Sequence, residues 1–175
     1  MSGTPLINRS KIYKLKFNES FFKIVTDGDL KAVKEKISET NINVLNVNDM
    51  SLLQVALQNK RDEIAHYLIE KGINVNNQDN KGMVALHYIA VYKNDLNLAK
   101  AILQKNADIE VKDKFGNSPL WTAIFSAKGE YGFIKLLLEN NADLRSINAA
   151  RKTPYDLAYI MKFPELISLV TEYSA

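Results

Sequence analysis

The sequence contains no cysteine, which excludes a disulfide scaffold, thiolate catalysis and any zinc site that needs sulfur. Histidine is nearly as scarce. His66 and His87 are the two present, too few for a His-rich metal centre. Neither sign of charge dominates: 23 Lys and Arg stand against 20 Asp and Glu, a formal charge of +3. No run of five like charges occurs, so a nucleic-acid partner gains little support. No stretch reaches the roughly 18 apolar residues of a membrane span. The opening MSGTPLINRSKIYKLKF has no apolar h-region, so neither a membrane segment nor a secretory signal is expected. Glycine numbers only 7, and none falls in a phosphate-binding loop pattern. What is there is a globular balance, with 46% hydrophobic and 25% charged residues over a length of 175 that suits one domain. Lysine outnumbers arginine 19 to 4, which reads as the codon bias of an AT-rich genome.

The chain repeats itself. SLLQVAL, VALHYIA, SPLWTAI and TPYDLAY align on Leu53, Leu86, Leu120 and Tyr155, with successive spacings of 33, 34 and 35. A second set, IAHYLIEKGIN from Ile64, LAKAILQKNAD from Leu98 and FIKLLLENNAD from Phe133, follows the first. The step from second segment to next first segment is constant at 22 residues, and all the drift lies within the pairs. A helix pair joined by a variable turn behaves in this way.

Local chemistry agrees. Ser118-Pro119 and Thr153-Pro154 set a hydroxyl N-cap before a proline at the first helical position, where its missing N–H costs nothing. In the second segments Phe133, Leu136 and Leu137 fall at helical spacing, with Lys135 and Glu139 turned outward. Those segments end at Gly72, Asn106 and Asn141, residues that tolerate a left-handed C-cap. Between units lie Asp79-Asn80-Lys81-Gly82 and Asp113-Lys114-Phe115-Gly116, tight turns with a late glycine. Asp79, Asp113, Asp108 and Asp143 recur at the repeat spacing, as expected of side chains that bond to turn backbone.

These residues resemble ankyrin repeats. The D-x-x-G-x-T-P-L-H-x-A stretch of that family is matched by Asp113 to Ala123, with Trp121 in place of the histidine, and its L-L-x-x-G-A-D stretch by Leu137 to Asp143. The resemblance covers about residues 21–175 and implies an all-α solenoid of stacked helix-turn-helix units with β-hairpin-like loops. The expected units are 21–48, 49–81, 82–115, 116–150 and 151–175, the first and last atypical because they cover the ends of the core. In the last hairpin Arg151 replaces the turn glycine. Residues 1–20 are expected outside the repeats as a basic tail or a short extended lead-in, with Arg9, Lys11, Lys14 and Lys16 available to contact a partner.

No constellation points to catalysis, and no cofactor or metal is implied. On the resemblance, His87 holds its hairpin and the neighbouring unit by hydrogen bonds, and His66 faces solvent. What remains is the concave surface made by hairpin tips and first helices. The positions implied to bind are Asn80, Lys81, Met83, Tyr92, Lys114, Phe115, Asn117, Trp121, Phe125, Lys152 and Tyr159. Tyr92, Phe115, Trp121 and Phe125 concentrate aromatic surface on units three and four, the usual chemistry of an interface anchor. The alternative for Trp121 is packing against Phe125 or the next unit. Lys81, Lys114 and Lys152 suggest a basic row and a partner with acidic patches.

The resulting expectation is a non-catalytic, cytoplasmic protein that binds another protein, as a monomer or weak homodimer. It resembles the small ankyrin proteins that serve bacteria as immunity proteins, which implies a cognate toxin as the candidate partner. The alternatives are a host-directed effector, a scaffold subunit, or an enzyme or small-molecule binder using the groove.

Overall fold

A computed structural model describes residues 9–93 and 95–174. Among the described residues ten helices form two layers. The inner layer is α1 (Arg9–Asp27), α3 (Leu52–Gln58), α5 (Ala85–Tyr92), α7 (Pro119–Ser126) and α9 (Pro154–Met161). The outer layer is α2 (Leu30–Lys36), α4 (Asp62–Glu70), α6 (Leu96–Gln104), α8 (Gly132–Glu139) and α10 (Pro164–Glu172). Each inner helix packs on the next and on its own outer partner, the stacking of a solenoid. The described residues contain no β-strand beyond a single antiparallel bridge between Leu45 and Ser51.

These helices are short, and caps and burial hold them rather than length. Ser51, Ser118 and Thr153 each accept a bond from the backbone N–H three residues on, and Pro119 and Pro154 follow as anticipated. Leu53, Leu86 and Leu120 are fully buried, as are Leu68, Leu98, Ile102 and Leu137 facing them from the outer layer. At roughly 1.5–3 kcal/mol for each buried aliphatic side chain, this double row supplies most of the driving force.

The N-terminal segment differs from the sequence reading. Residues 9–20 are neither a tail nor an extended lead-in but the first part of α1, which runs unbroken to Asp27. Phe21, Phe22 and Val25 bury its second half against the stack. Once that turn is nucleated, the Lys- and Leu-containing stretch before it propagates the helix. The contact role considered for the basic side chains at residues 9–16 lies outside the described residues.

Four hairpins of one design join the units. Asn46, Asp79, Asp113 and Asn148 each accept two backbone N–H bonds on Oδ1: Asn46 from Asn48 and Met50, Asp79 from Lys81 and Met83, Asp113 from Phe115 and Asn117, Asn148 from Ala150 and Lys152. The left-handed residue of each turn is Asp49, Gly82, Gly116 or Arg151. Arg151 stands there with no described hairpin after it, and Asp49 shows that the first hairpin also accepts a side chain, whereas a Cβ on Gly116 would lie 2.8 Å from Ala149 N. Neighbouring tips are tied by single backbone bonds: Asn80 N to Asn48 O at 2.9 Å, Lys114 N to Lys81 O at 2.9 Å, and Ala149 N to Phe115 O at 3.0 Å. A second tie links the outer ends, where Asn43, Asn76 and Glu110 accept from the N–H of Asn74, Asp108 and Asp143.

The core falls into two clusters. One spans Phe21 to Ile102, the other gathers Ala90 with residues from Leu120 to Val170, and Ile109 and Phe133 pack against both. Along this division lies a small apolar recess of about 200 Å³, lined by Ile89, Leu96, Ala123 and Phe133 among others. At the far end, Tyr155 takes the place of the buried leucines, its ring 4.8 Å from that of Tyr159. Its hydroxyl bonds to Tyr159 at 2.9 Å, and Tyr159 reaches Thr171 at 3.3 Å, so a short hydroxyl chain links α9 to α10.

Candidate functional site

The face formed by hairpins and inner helices is built from side chains that the turns and caps fix. His87, fully buried at the start of α5, accepts from Val84 N on Nδ1 at 3.2 Å, so its Nε2 carries the proton and bonds to Asn117 O of the next hairpin at 3.0 Å. Burial holds its pKa below the usual imidazole range, against the opposing pull of the Asn117 bond and of Asp113 and Asp79. Gln54 does the same work one unit earlier. Its Oε1 accepts from Ser51 N, and its Nε2 donates to Met83 O at 2.7 Å and Asn77 O at 3.0 Å. Sequence reading missed this equivalence, although Gln54 stands 33 residues before His87 and both follow the N-cap by three.

Asp79 is buried, and its Oδ2 accepts a 2.6 Å bond from Tyr88. Burial first, then Asp79, pushes the Tyr88 phenol far above its ordinary value, so the pair is a fixed strut. Tyr88 in turn stacks on Tyr92, whose hydroxyl accepts from Gln58 Nε2 at 3.2 Å.

Nine of the eleven expected binding residues divide into three groups, and Asn117 and Trp121 stand apart. Asn80, Lys81, Met83 and Tyr92 line one polar groove of about 600 Å³, together with Gln58 and Asn48. Lys152 and Tyr159 line a separate recess of about 410 Å³ with Ile160 and Lys162. Phe115, 70% exposed, and Phe125, 67% exposed, stand outside both, and Lys114 is exposed beside Phe115. Asn117 is committed to its own surroundings: its Oδ1 accepts from Asn148 Nδ2 at 2.9 Å, its carbonyl serves His87 and its amide points at Asp113.

The aromatic cluster is therefore not one exposed patch. Trp121 is half-buried in the second core cluster and Tyr92 packs against the first, leaving Phe115 and Phe125 as the solvent-facing pair. Trp121 occupies the N3 site of its helix, the place from which Gln54 and His87 bond to the following hairpin. Nor do Lys81, Lys114 and Lys152 repeat one position. Lys81 corresponds to Phe115, Lys114 to Asn80, and Lys152 to Met83 and Asn117. Among the described residues no group of three His, Asp or Glu is placed to hold a metal ion. No described helix is long and apolar enough to cross a membrane.

Comparison with known proteins gives the same architecture a context. A family model described as ankyrin repeats in three copies matches residues 21–113 and again 86–175. An ankyrin repeat protein of Acanthamoeba polyphaga mimivirus is 30% identical over 135 residues, which is 75% of this chain and 30% of that protein. One from fowlpox virus (strain NVSL) is 35% identical over 72 residues, covering 41% of this chain and 17% of the relative. Rabankyrin-5 of Mus musculus is 28% identical over 105 residues, 60% of this chain and 9% of its own length. The chain thus spans at most 30% of the length of these relatives.

Proposed function

This chain belongs to the ankyrin-repeat family of protein-interaction modules, and we propose from that premise that it binds another protein without catalysis, through the face made by its hairpins and inner helices. The observation that carries this reading is the exposure of Phe115 and Phe125 on units whose backbone is already fixed by the ties between hairpin tips. A pre-ordered surface loses little conformational entropy on association, and desolvated aromatic rings supply its central energy. Lys81, Lys114 and Lys152 are exposed on the same hairpins and favour a partner with acidic patches.

The test is binding with a Phe115→Ala/Phe125→Ala double variant whose helicity is first checked by circular dichroism. Wild type should retain a stoichiometric protein from the native cell extract that the folded variant loses. Equal retention by both would place the interface on another face. With that partner in hand, Lys81→Glu/Lys114→Glu should slow association and flatten its salt dependence, and an unchanged rate would remove the electrostatic part. A role as a cytoplasmic inhibitor that occludes a cognate toxin rests on family analogy alone; a toxin gene beside this one, and loss of toxicity on mixing the two products, would support it.

A further inference from the structure

Each inner helix of units two to five is followed by a lysine in the left-handed region: Lys60 (φ 52), Lys93 (φ 51), Lys128 (φ 46) and Lys162 (φ 59). Their steps are 33, 35 and 34 residues, so three stand nine residues after the N-cap of their helix and Lys128 stands ten. Left-handed backbone suits glycine, and asparagine next best. The first unit uses Gly28 at the corresponding place, and the outer helices end on Gly72, Asn106 and Asn141. Codon bias toward AT-rich triplets would admit asparagine as readily as lysine, at lower conformational cost. Four successive lysines therefore oppose the backbone preference rather than follow it, and conformations of this kind collect at functional positions.

The row has neighbours of definite chemistry. On the last turn of the inner helices, at the seventh position after each N-cap, stand Val91, Phe125 and Ile160, exposed by 41%, 67% and 57%. Lys162 and Ile160 line the same recess. One carboxylate already occupies the row: Glu130 lies 2.8 Å from Lys93 Nζ, and the hydrogen bond from Lys93, then its charge and that of Lys60, hold its pKa below the usual range. Lys60, Lys128 and Lys162 make no ion pair among the described residues. The acids that follow, Asp62, Asp95 and Glu165, belong to the starts of outer helices, where the helix dipole favours them. Asp95 is also taken up by the N–H and side-chain amide of Asn97.

We propose that this lysine row receives the carboxylates of an acidic partner segment, with the segment's apolar side chains seated on Val91, Phe125 and Ile160. The inference rests on the concave-face reading and names the partner's chemistry. Apolar side chains beside successive lysines match a polypeptide that carries both acidic and apolar groups, and a bare phosphate backbone has nothing to place on them.

The test uses the full chain and a Lys60→Gly/Lys128→Gly/Lys162→Gly variant. Glycine removes the charges but satisfies the left-handed backbone, so the thermal midpoint should hold or rise. The probes are a dye-labelled peptide of repeating Glu-Glu-Leu, its Gln-Gln-Leu counterpart, phosphatidylserine vesicles and an oligothymidylate. Wild type should bind the glutamate peptide and not the glutamine one, with the triple variant about tenfold weaker. No binding by wild type, or equal binding by the triple variant, overturns the proposal. Vesicles or oligothymidylate that bind as tightly and lose binding in the variant overturn it in favour of a general anion surface. A cell-extract partner that depends on Phe115 and Phe125 but not on these lysines would sink this inference alone and leave the concave-face reading intact.

Discussion

Alanine at Gly116 and at Gly72 separates the cost of a left-handed backbone from the cost of crowding between repeats. Both glycines have positive φ, 75° and 83°. A Cβ on Gly72 meets nothing within 4 Å, whereas one on Gly116 lies 2.8 Å from Ala149 N and 3.2 Å from Asn148 Cα. At Gly72 the conformational penalty is about 1–2 kcal/mol, offset by the roughly 0.4–1 kcal/mol that alanine removes from unfolded-state entropy. The expected net loss there is about 0.5–1 kcal/mol. At Gly116 the same term applies, and the neighbouring hairpin must also move. Its bond from Ala149 N to Phe115 O, 3.0 Å long, contributes about 1 kcal/mol, and overpacking against backbone adds at least about 1 kcal/mol.

Gly116→Ala should therefore lose roughly 2.5–4 kcal/mol in all. For a chain of this size that lowers the thermal midpoint by about 5–15 °C, against about 1–4 °C for Gly72→Ala. Thermal and urea unfolding followed by far-UV circular dichroism would measure both. Asp49 shows that a Cβ is admissible at this turn position in the first hairpin, so the loss at Gly116 beyond that at Gly72 comes from the 2.8 Å approach. Arg151→Gly, at the corresponding place with no described hairpin after it, should be neutral or stabilising. Equal losses at Gly72 and Gly116 would refute the claim that the tips stack this closely.

Three further outcomes follow from single contacts. Because burial depresses the folded pKa of His87 below its unfolded value near 6.5, the unfolded chain binds more protons in the window below about pH 6.5. Stability contributed by neutral His87 should be fully present above that pH and fall as the pH drops toward the folded value. In urea titrations His87→Gln, which can make the bonds Gln54 makes, should flatten that slope; an unchanged slope would exclude His87 as its source. Tyr88→Phe leaves Asp79 Oδ2 without its 2.6 Å donor and should cost about 1.5–3 kcal/mol in the same assay, a neutral result meaning that water replaces the hydroxyl. Ser51→Ala removes the cap of α3 and should cost about 1 kcal/mol, with no loss if Gln54 alone holds that end.

The repeat architecture was legible because it rests on local bonds that recur. The caps at Ser118 and Thr153, the Asp79 and Asp113 turns, and the left-handed Asn106 and Asn141 each solve a backbone problem with a residue type that advertises it. Contacts between units were harder to read. Trp121 reads as an exposed anchor in the sequence, and only packing decides that its ring is half-buried against the second core cluster. Gln54 hid its likeness to His87 because amide and imidazole share a hydrogen-bonding pattern and not a letter. The lysine row was concealed for another reason: glycine is expected after a helix, and four lysines there stand out once their φ values are known. The length of α1 escaped because Tyr13, Leu15 and Phe17 alternate with lysines and suggest a period of two.

The division of the core between units three and four gives the stack a joint. Helices α1 to α6 draw chiefly on one cluster and α7 to α10 on the other, with Ile109 and Phe133 bridging them. Contacts between units run between neighbours, and α5 packs directly on α7 across this division, so the coupling of the two halves runs through that one interface. The smaller half should exchange its amide hydrogens first and as a group. Lys93 on one side meets Glu130 and the Ala127 carbonyl on the other, a polar latch across the joint. The groove bearing Tyr92 and Lys81 belongs to the larger half, and Phe125 to the smaller. A ligand that touched both would clamp the joint shut, and its grip would be read as rigidity far from where it sits.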